Sequence, residues 1–359
     1  MVFDIDDFLI KSHQAHASDV HLSCGKAPSL RINGEIYKIF QSPLTHDDVE
    51  HILDKTLPKE YKSHRNNQDI DYIYEIKEVC RFRVNYCKDA HLGKLTFRII
   101  PYKIKSLKDL LLPGYLAQYT NFNNGIVFIT GATGSGKTTT LASMIEIINQ
   151  TQKRHIITIE DPVEFVYEDK KSIITQRSLD LDVKDFKTGI KYALRQDPDV
   201  ILVGEIRDKA TLDAAIEASE TGHLVFSTLH TNGTIASINR LKGFIDELAQ
   251  PEFMKVLSNC IRGIVHQQLV PTVDGVLVPA VEILTFTSTV IDYVKDGKFL
   301  DIYHLMQDSR KPNIVTMNKT LFEMYKKGII SKETAMEASL EKVEMDQMLR
   351  GIQRNSGGK

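Results

Sequence analysis

The chain has 359 residues, too many for one ordinary domain and enough for two domains and a tail. Its 42% hydrophobic and 26% charged residues are those of a globular protein with ample core. Its 45 basic against 47 acidic residues, a formal net charge of −2, exclude a strongly cationic polyanion binder, although a local basic patch stays possible. Cys24, Cys80, Cys87 and Cys260 are scattered, without a CxxC pair. No zinc site is expected, and free thiols suit a reducing compartment. The opening MVFDIDDFLIK is acidic and amphipathic rather than signal-like, and no run reaches the roughly 18 apolar residues of a transmembrane segment. A cytoplasmic protein is expected.

Residues 1–100 read as a small α+β unit. Ile5, Phe8 and Leu9 have helical spacing, and Asp19–Leu22 alternates like a strand. Asn33-Gly34 between Leu30–Ile32 and Glu35–Tyr37 is a two-residue hairpin signal. Asp71–Ile76, Cys80–Tyr86 and Lys94–Ile100 are strand-like, and 101–114, with Pro101 and Leu112-Pro113-Gly114, reads as a linker.

From Tyr115 the pattern becomes strand–helix alternation, expected to form an α/β domain of doubly wound type over 115–285. Gly125–Thr130 is a continuous apolar strand, of the kind buried on both faces of a parallel sheet. Leu141, Met144, Ile145 and Ile148 put a stripe on the following helix. His155–Ile159, Val200–Val203 and His223–Leu229 supply further strands, and Ala210–Thr221 a helix closed by Gly222. After about residue 250 the chain reads as mainly helical, with 286–359 a helical C-terminal region. There Gly328 ends one helix, Ser331 caps the next, and Asn355–Lys359 is a frayed tail.

The decisive motif is Gly131-Ala132-Thr133-Gly134-Ser135-Gly136-Lys137-Thr138, a complete GxxxxGK followed by Thr, set between an apolar strand and a periodic helix. Its glycines let backbone N–H groups converge on phosphate oxygens, and the helix directs its positive end at the same anion. ATP is the expected ligand of residues 131–139, Thr139 included. Lys137 is expected on the β- and γ-phosphates and the Thr138 hydroxyl on Mg²⁺. Asp199–Glu205 is an apolar strand ending in an acid, which places Glu205 on the metal side. Otherwise it is a solvated strand end. Thr158-Ile159-Glu160-Asp161-Pro162 is a second acidic strand end, and Glu160 is the expected general base, unless the pair caps a turn or joins a salt bridge.

His223 and His230 bracket another strand, with Thr228 and Thr231 nearby. They read as structural histidines or as a γ-phosphate sensor, with His230 the candidate. Arg81 and Arg83 alternate on one strand and so share a face, and Arg98 closes the last strand before the linker. They pair with surface carboxylates, or one of them is delivered to a neighbouring subunit's phosphates. Arg195 and Arg207, near acidic loop segments, are weaker candidates.

With these residues in order, the chain resembles the secretion ATPase superfamily and, within it, the type IV pilus retraction (twitching motility, PilT-like) ATPases, over about residues 1–345. Ser18–Leu22 with Pro28 and Arg31, Arg81–Asn85 and Phe97-Arg98 look like the family's PAS-like N-terminal domain. Thr158–Pro162 is similar to the acidic box, Arg195–Val203 to the stretch before Walker B, and Gly222–Thr231 to the histidine box. The resemblance implies a RecA-like P-loop ATPase domain over 115–285 and a homohexameric motor in which ATP turnover moves each N-terminal domain against the neighbouring ATPase domain. Such a motor turns an inner-membrane pilus platform protein, depolymerises pilin, and is held peripherally at that membrane. It also implies that Glu160 is the catalytic glutamate, that Glu205 is the Walker B glutamate, and that Arg81, Arg83 and Arg98 reach the nucleotide next door.

Where retraction ATPases carry an apolar-Arg-Asn-Leu-Ile-Arg-Glu stretch, this chain reads Thr289–Lys295. Accessory retraction, pilus assembly and type II or type IV secretion therefore stay open. Assembly and type II relatives are generally longer and often carry a four-cysteine zinc insert, which this chain lacks. A nucleic-acid translocase is the alternative of another class, opposed by the near-neutral charge and the want of a basic-aromatic tract. A nucleotide-gated regulator is the remaining one. No direct nucleic-acid partner is expected.

Overall fold

The computed structural model describes residues 3–32, 34–39, 42–64, 69–90 and 92–351. Asn33 of the expected hairpin turn and the expected frayed tail, 355–359, lie outside the described residues. The chain forms two compact units: Met1–Ile104 with Pro162–Val166, and Lys105–Asp161 with Tyr167–Lys359.

In the first unit, helix α1 (Ile5–Gln14) begins where the Asp4 carboxylate accepts the amides of Asp6 and Asp7, and it buries Ile5, Phe8 and Leu9. Helix α2 (His46–Thr56) opens on a reciprocal capping box between Thr45 and Asp48 and buries Val49, Ile52 and Leu53. Six antiparallel strands make one sheet: β1 (Asp19–Ser23), β2 (Ser29–Ile32), β3 (Glu35–Lys38), β4 (Asp69–Ile76), β5 (Cys80–Asp89) and β6 (Leu92–Pro101), in the order β3-β2-β1-β6-β5-β4. Along β5 the residues Cys80, Phe82, Val84 and Tyr86 point into the core, so Arg81, Arg83 and Asn85 take the other face. Gly34, at φ +88°, supplies the left-handed backbone for the turn between β2 and β3.

The second unit is an α/β layer structure. Its strands are β7 (Gly125–Thr130), β8 (His155–Glu160), β9 (Ile173–Ser178), β10 (Val200–Val203), β11 (Leu224–Leu229), β12 (Ile261–Pro271), β13 (Leu277–Thr285) and β14 (Ile314–Val315), in the order β14-β13-β12-β7-β11-β10-β8-β9. From β12 to β9 every neighbour is parallel, and β13 and β14 add an antiparallel edge. Strands β7, β10 and β11 are buried at every position, as a parallel sheet covered on both faces requires. The helices are α3 (Lys137–Thr151), α4 (Phe186–Ala193), α5 (Lys209–Glu220), α6 (Thr234–Lys242), α7 (Gln250–Cys260), α8 (Ser288–Lys295), α9 (Phe299–Asp308), α10 (Met317–Lys326), α11 (Lys332–Ala338) and α12 (Lys342–Leu349). Ser331 caps α11 through the Thr334 amide, and Gly222 follows α5 at φ +104°.

Two expectations need correction. The chain beyond residue 250 is not mainly helical until about 286, because β12 and β13 fill 261–285. Buried polar residues interrupt their apolar runs and conceal the strand pattern. The stretch expected as a linker joins the second unit from Lys105 onward: Leu107 and Leu112 are buried in its core, and Ser143 Oγ donates to the Lys105 carbonyl. No helix among the described residues is long and apolar enough to cross a membrane.

Strand β12 carries two consecutive buried polar side chains, His266 and Gln267, each 2% exposed. Burial, helped by the Lys137 charge, pushes the His266 imidazole down to about 4, while hydrogen bonds with the backbone of Thr130 and Thr231 oppose the shift without cancelling it. Folded His266 is therefore neutral, whereas the unfolded chain takes up a proton below about pH 6.5. The contribution to stability is full above that pH and is lost as pH falls toward 4. Between about pH 7.5 and about pH 5 the loss is on the order of 2 kcal/mol. Urea unfolding at the two pH values is expected to show a larger fall for the wild type than for His266→Gln, and an equal fall would place the sensitivity elsewhere. Also on β12, a Cβ at Gly263 would lie 2.4 Å from the buried Tyr119 ring, whose hydroxyl shares a hydrogen bond of 2.7 Å with Thr285. Gly263→Ala is expected to cost about 1–3 kcal/mol in the same assay.

Candidate nucleotide-binding site

Because β7 runs into α3 through Gly131–Gly136, the phosphate-loop sequence becomes a strand–loop–helix. The loop's amide path bends through Gly131 (φ +144°), Gly134 (φ +80°) and Gly136 (φ +86°). At Gly131 a Cβ would fall 2.2 Å from the Gln267 carbonyl oxygen, so no side chain fits there. Gly136 occupies the N-cap of α3 and offers no side-chain oxygen to the helix amides, which stay available to an anion. Lys137 is 8% exposed, and its Nζ donates to the carbonyls of Gly131 at 2.8 Å and Ala132 at 2.9 Å, so its charge lies over the loop. Within the cradle, the Ser135 hydroxyl is buried with no hydrogen-bond partner among the described residues. An orphaned donor, an uncapped helix start and a buried lysine together fit an oligophosphate. Thr138 is exposed at the first turn of α3, next to Thr139.

The parallel strands bring their carboxyl ends to the same edge as this loop. β8 ends at Glu160, 7% exposed, whose Oε1 accepts from Gln176 Nε2 at 3.5 Å. Nearby, burial and then the Glu160 charge push the Tyr167 phenol far up, so it stays protonated. β10 exits through Gly204 to Glu205. The Thr228 hydroxyl donates to the Gly204 carbonyl at 2.7 Å and the Ile206 amide to the Thr228 carbonyl at 3.2 Å, which pins that exit to β11. One Glu205 oxygen lies 2.6 Å from Arg207 Nε and 3.5 Å from His230 Nε2. The His230 imidazole is lowered by burial and then by the Lys137 cation, with Glu205 opposing, so His230 is neutral near pH 7. Lys137, Glu205, Arg207 and His230 thus share one electrostatic neighbourhood.

Other expected members fall elsewhere. His223 precedes β11 at the amino end of the sheet, held by the Ala218 carbonyl at 2.9 Å, and takes no part in the site. Thr231 shares a 2.6 Å hydrogen bond with Ser237, and the Arg195 guanidinium lies over the Tyr192 ring. In the first unit Arg81 donates to the Glu164 carbonyl at 2.6 Å, and Arg83 Nη1 lies 3.5 Å from the Glu164 carboxylate. Arg98 stands opposite Arg83 in the β5–β6 register and donates to Asp19 at 3.0 Å. All three arginines therefore meet carboxylates or carbonyls of their own chain.

Sequence reasoning missed His266, Gln267 and the closeness of Arg207 to Glu205. Gln267 Nε2 donates to the Ser135 carbonyl at 2.6 Å, and its Oε1 accepts from the Thr140 hydroxyl at 2.7 Å. The available signal was a His-Gln-Gln run between Ile264-Val265 and Leu269-Val270, polar residues in the middle of an apolar strand.

Comparison with known proteins agrees with the fold. The chain is 36% identical over 335 residues to the type IV pilus retraction ATPase PilT of Pseudomonas aeruginosa, covering 93% of this chain and 97% of that one. It is 36% identical over 310 residues to a twitching motility protein of Neisseria gonorrhoeae, covering 86% and 83%. Among solved structures, the pilus retraction motor PilT with bound ADP matches with a TM-score of 0.86 at 38% identity, covering 96% of this chain and 100% of that one. Residues 3–346 match the type II/IV secretion system protein family, and the chain belongs to that family.

Proposed function

We propose that this chain is an ATPase, that six copies form a ring, and that the ring powers type IV pilus retraction. The observation that carries the reading is the phosphate cradle at the end of β7, facing acids from β8 and β10, in a chain that aligns with a pilus retraction ATPase over 93% of its length.

In this reading the amides of residues 131–139 and the Lys137 ammonium hold the β- and γ-phosphates. Glu160 orients the attacking water and accepts its proton as the water oxygen bonds to phosphorus and the bridging oxygen departs with ADP. Its burial keeps competing solvent away from that proton. Thr138 and Glu205 would hold Mg²⁺, which when bound supplies charge neutralisation between the phosphates. Neutral His230 has one N–H to give and donates it toward the γ-phosphate side. Arg81, Arg83 or Arg98 serves the phosphates of a neighbouring protomer, exchanging its carboxylate or carbonyl for phosphoryl oxygens at little electrostatic cost. The motor works in the cytoplasm, peripheral to the inner membrane, against a pilus platform protein of that membrane. No nucleic acid takes part.

Glu160→Gln is expected to bind ATP as the wild type does while phosphate release falls about 100-fold or more. Near-normal release would remove Glu160 from the general-base role. Lys137→Ala is expected to weaken nucleotide binding itself, read by equilibrium titration with ADP. In cells, deletion of the gene is expected to leave excess, non-retracting pili and abolish twitching, whereas bald cells would point to assembly.

A further inference from the structure

The phosphate loop has few bonds of its own: the Ser135 amide donates to the Ala132 carbonyl at 3.2 Å, and Lys137 Nζ donates to the Gly131 and Ala132 carbonyls. Three of its residues lie in the left-handed or extended region that only glycine tolerates well, and its amides have to stay unpaired if they are to serve an anion. Further support comes from outside, where the structure places one residue against the loop and the first turn of α3 at four points. The Gln267 carbonyl oxygen would sit 2.2 Å from a Cβ at Gly131, and its Nε2 2.8 Å from a Cβ at Gly136. That same Nε2 donates to the Ser135 carbonyl at 2.6 Å, and Oε1 accepts from Thr140 Oγ1 at 2.7 Å.

We infer that Gln267 is a positioning residue for nucleotide phosphates: it clamps the loop from β12 so that the Gly136–Thr139 amides point outward at the ligand. This rests on the ATPase reading above and adds to it a residue that touches no substrate atom.

The chemistry favours an amide at this place over any other side chain. The Ser135 carbonyl needs a donor and the Thr140 hydroxyl needs an acceptor, and only a carboxamide offers both on one planar group of this reach. Turning the Ser135 carbonyl toward Gln267 turns the following peptide N–H the opposite way, toward the anion. The site is dry, because Gln267 is 2% and Thr140 1% exposed, so water cannot replace the amide. A carboxylate would keep the acceptor for Thr140 but face the Ser135 carbonyl with a second acceptor, and would put negative charge under the phosphates.

The experiment compares wild type, Gln267→Glu, Gln267→Leu and Thr140→Val by ADP and ATP titration, steady-state hydrolysis and nucleotide-free thermal unfolding. The expected result is a rise of roughly tenfold in the ADP dissociation constant and the ATP KM for Gln267→Leu, and a larger rise for Gln267→Glu. kcat at saturation is expected to stay within about twofold, since the clamp acts on phosphate binding rather than on the proton transfer. Thr140→Val, which removes only one of the two bonds and keeps the side-chain shape, is expected to give a smaller rise in the same direction. If either Gln267 variant fails to fold, Thr140→Val alone decides the matter. Unchanged affinity in every folded variant overturns the inference, as does a loss confined to kcat or to nucleotide-free stability. Failure of the wild type to bind ADP would instead overturn the ATPase reading, so the two outcomes are separable.

Discussion

A partly buried loop that pairs the amides of Gly131 and Ser135 yet leaves those at the start of α3 for a ligand is the constraint on which the second unit depends. Backbone N–H groups away from water normally find partners, and leaving several open costs free energy on the order of a kcal/mol or more each. The chain meets this cost by locking the loop between strands that are themselves fully hydrogen-bonded. β7 is paired along its length with β11 on one side and β12 on the other. The Gly131 amide reaches the Leu229 carbonyl at the end of β11, and β12 supplies Gln267 beneath the bend. Rigidity is borrowed from the sheet and used at its edge.

The same parallel order explains why acids distant in sequence become neighbours. Parallel strands all finish on one side, so β8, β10 and β11 must deliver Glu160, Glu205 and His230 to the edge where β7 delivers the loop. No local feature of residues 155–160 or 200–205 encodes that proximity. It follows from topology, in the way that crevices at the carboxyl ends of open α/β sheets collect ligand groups. The charges then adjust to each other: Arg207 answers Glu205, and the Lys137 cation disfavours protonation of both His230 and His266.

Where local pattern and burial agreed, the fold was readable from sequence. Strands β5, β7, β10 and β11 alternate or run apolar, and each appears within a few residues of its expected place. Helix α2 was overlooked although Thr45 and Asp48 spell its capping box, because its apolar positions are few and its mean hydropathy is low. β9 is an edge strand with half-exposed Thr175, Gln176 and Arg177, which gives no periodic signal. β12 and β13 hid for the opposite reason: buried polar residues with specific partners, His266, Gln267 and Glu282, broke the apolar runs. Glu282 accepts the amides of Thr234 and Met317, so one buried carboxylate caps two helices, and burial pushes its carboxyl up even so. The phosphate loop was legible because its glycines and lysine serve local geometry. Its support was not, because Gln267 lies 132 positions from the carbonyl it holds.

The segment after Glu160 links the chemistry to the rest of the chain. Pro162–Val166 belongs to the first unit, while Glu160 and Asp161 belong to the second, so only Asp161 separates the buried carboxylate from chain that the first unit holds. That hold is specific: the Arg81 guanidinium binds the Glu164 carbonyl, and Arg83 lies beside its carboxylate. A peptide bond transmits displacement without slack, since the flanking dihedrals are its only soft coordinates and Pro162 fixes one of them. The acidic strand end of the second unit is thus tied to residues of the first unit through the dihedrals of a single residue, Asp161.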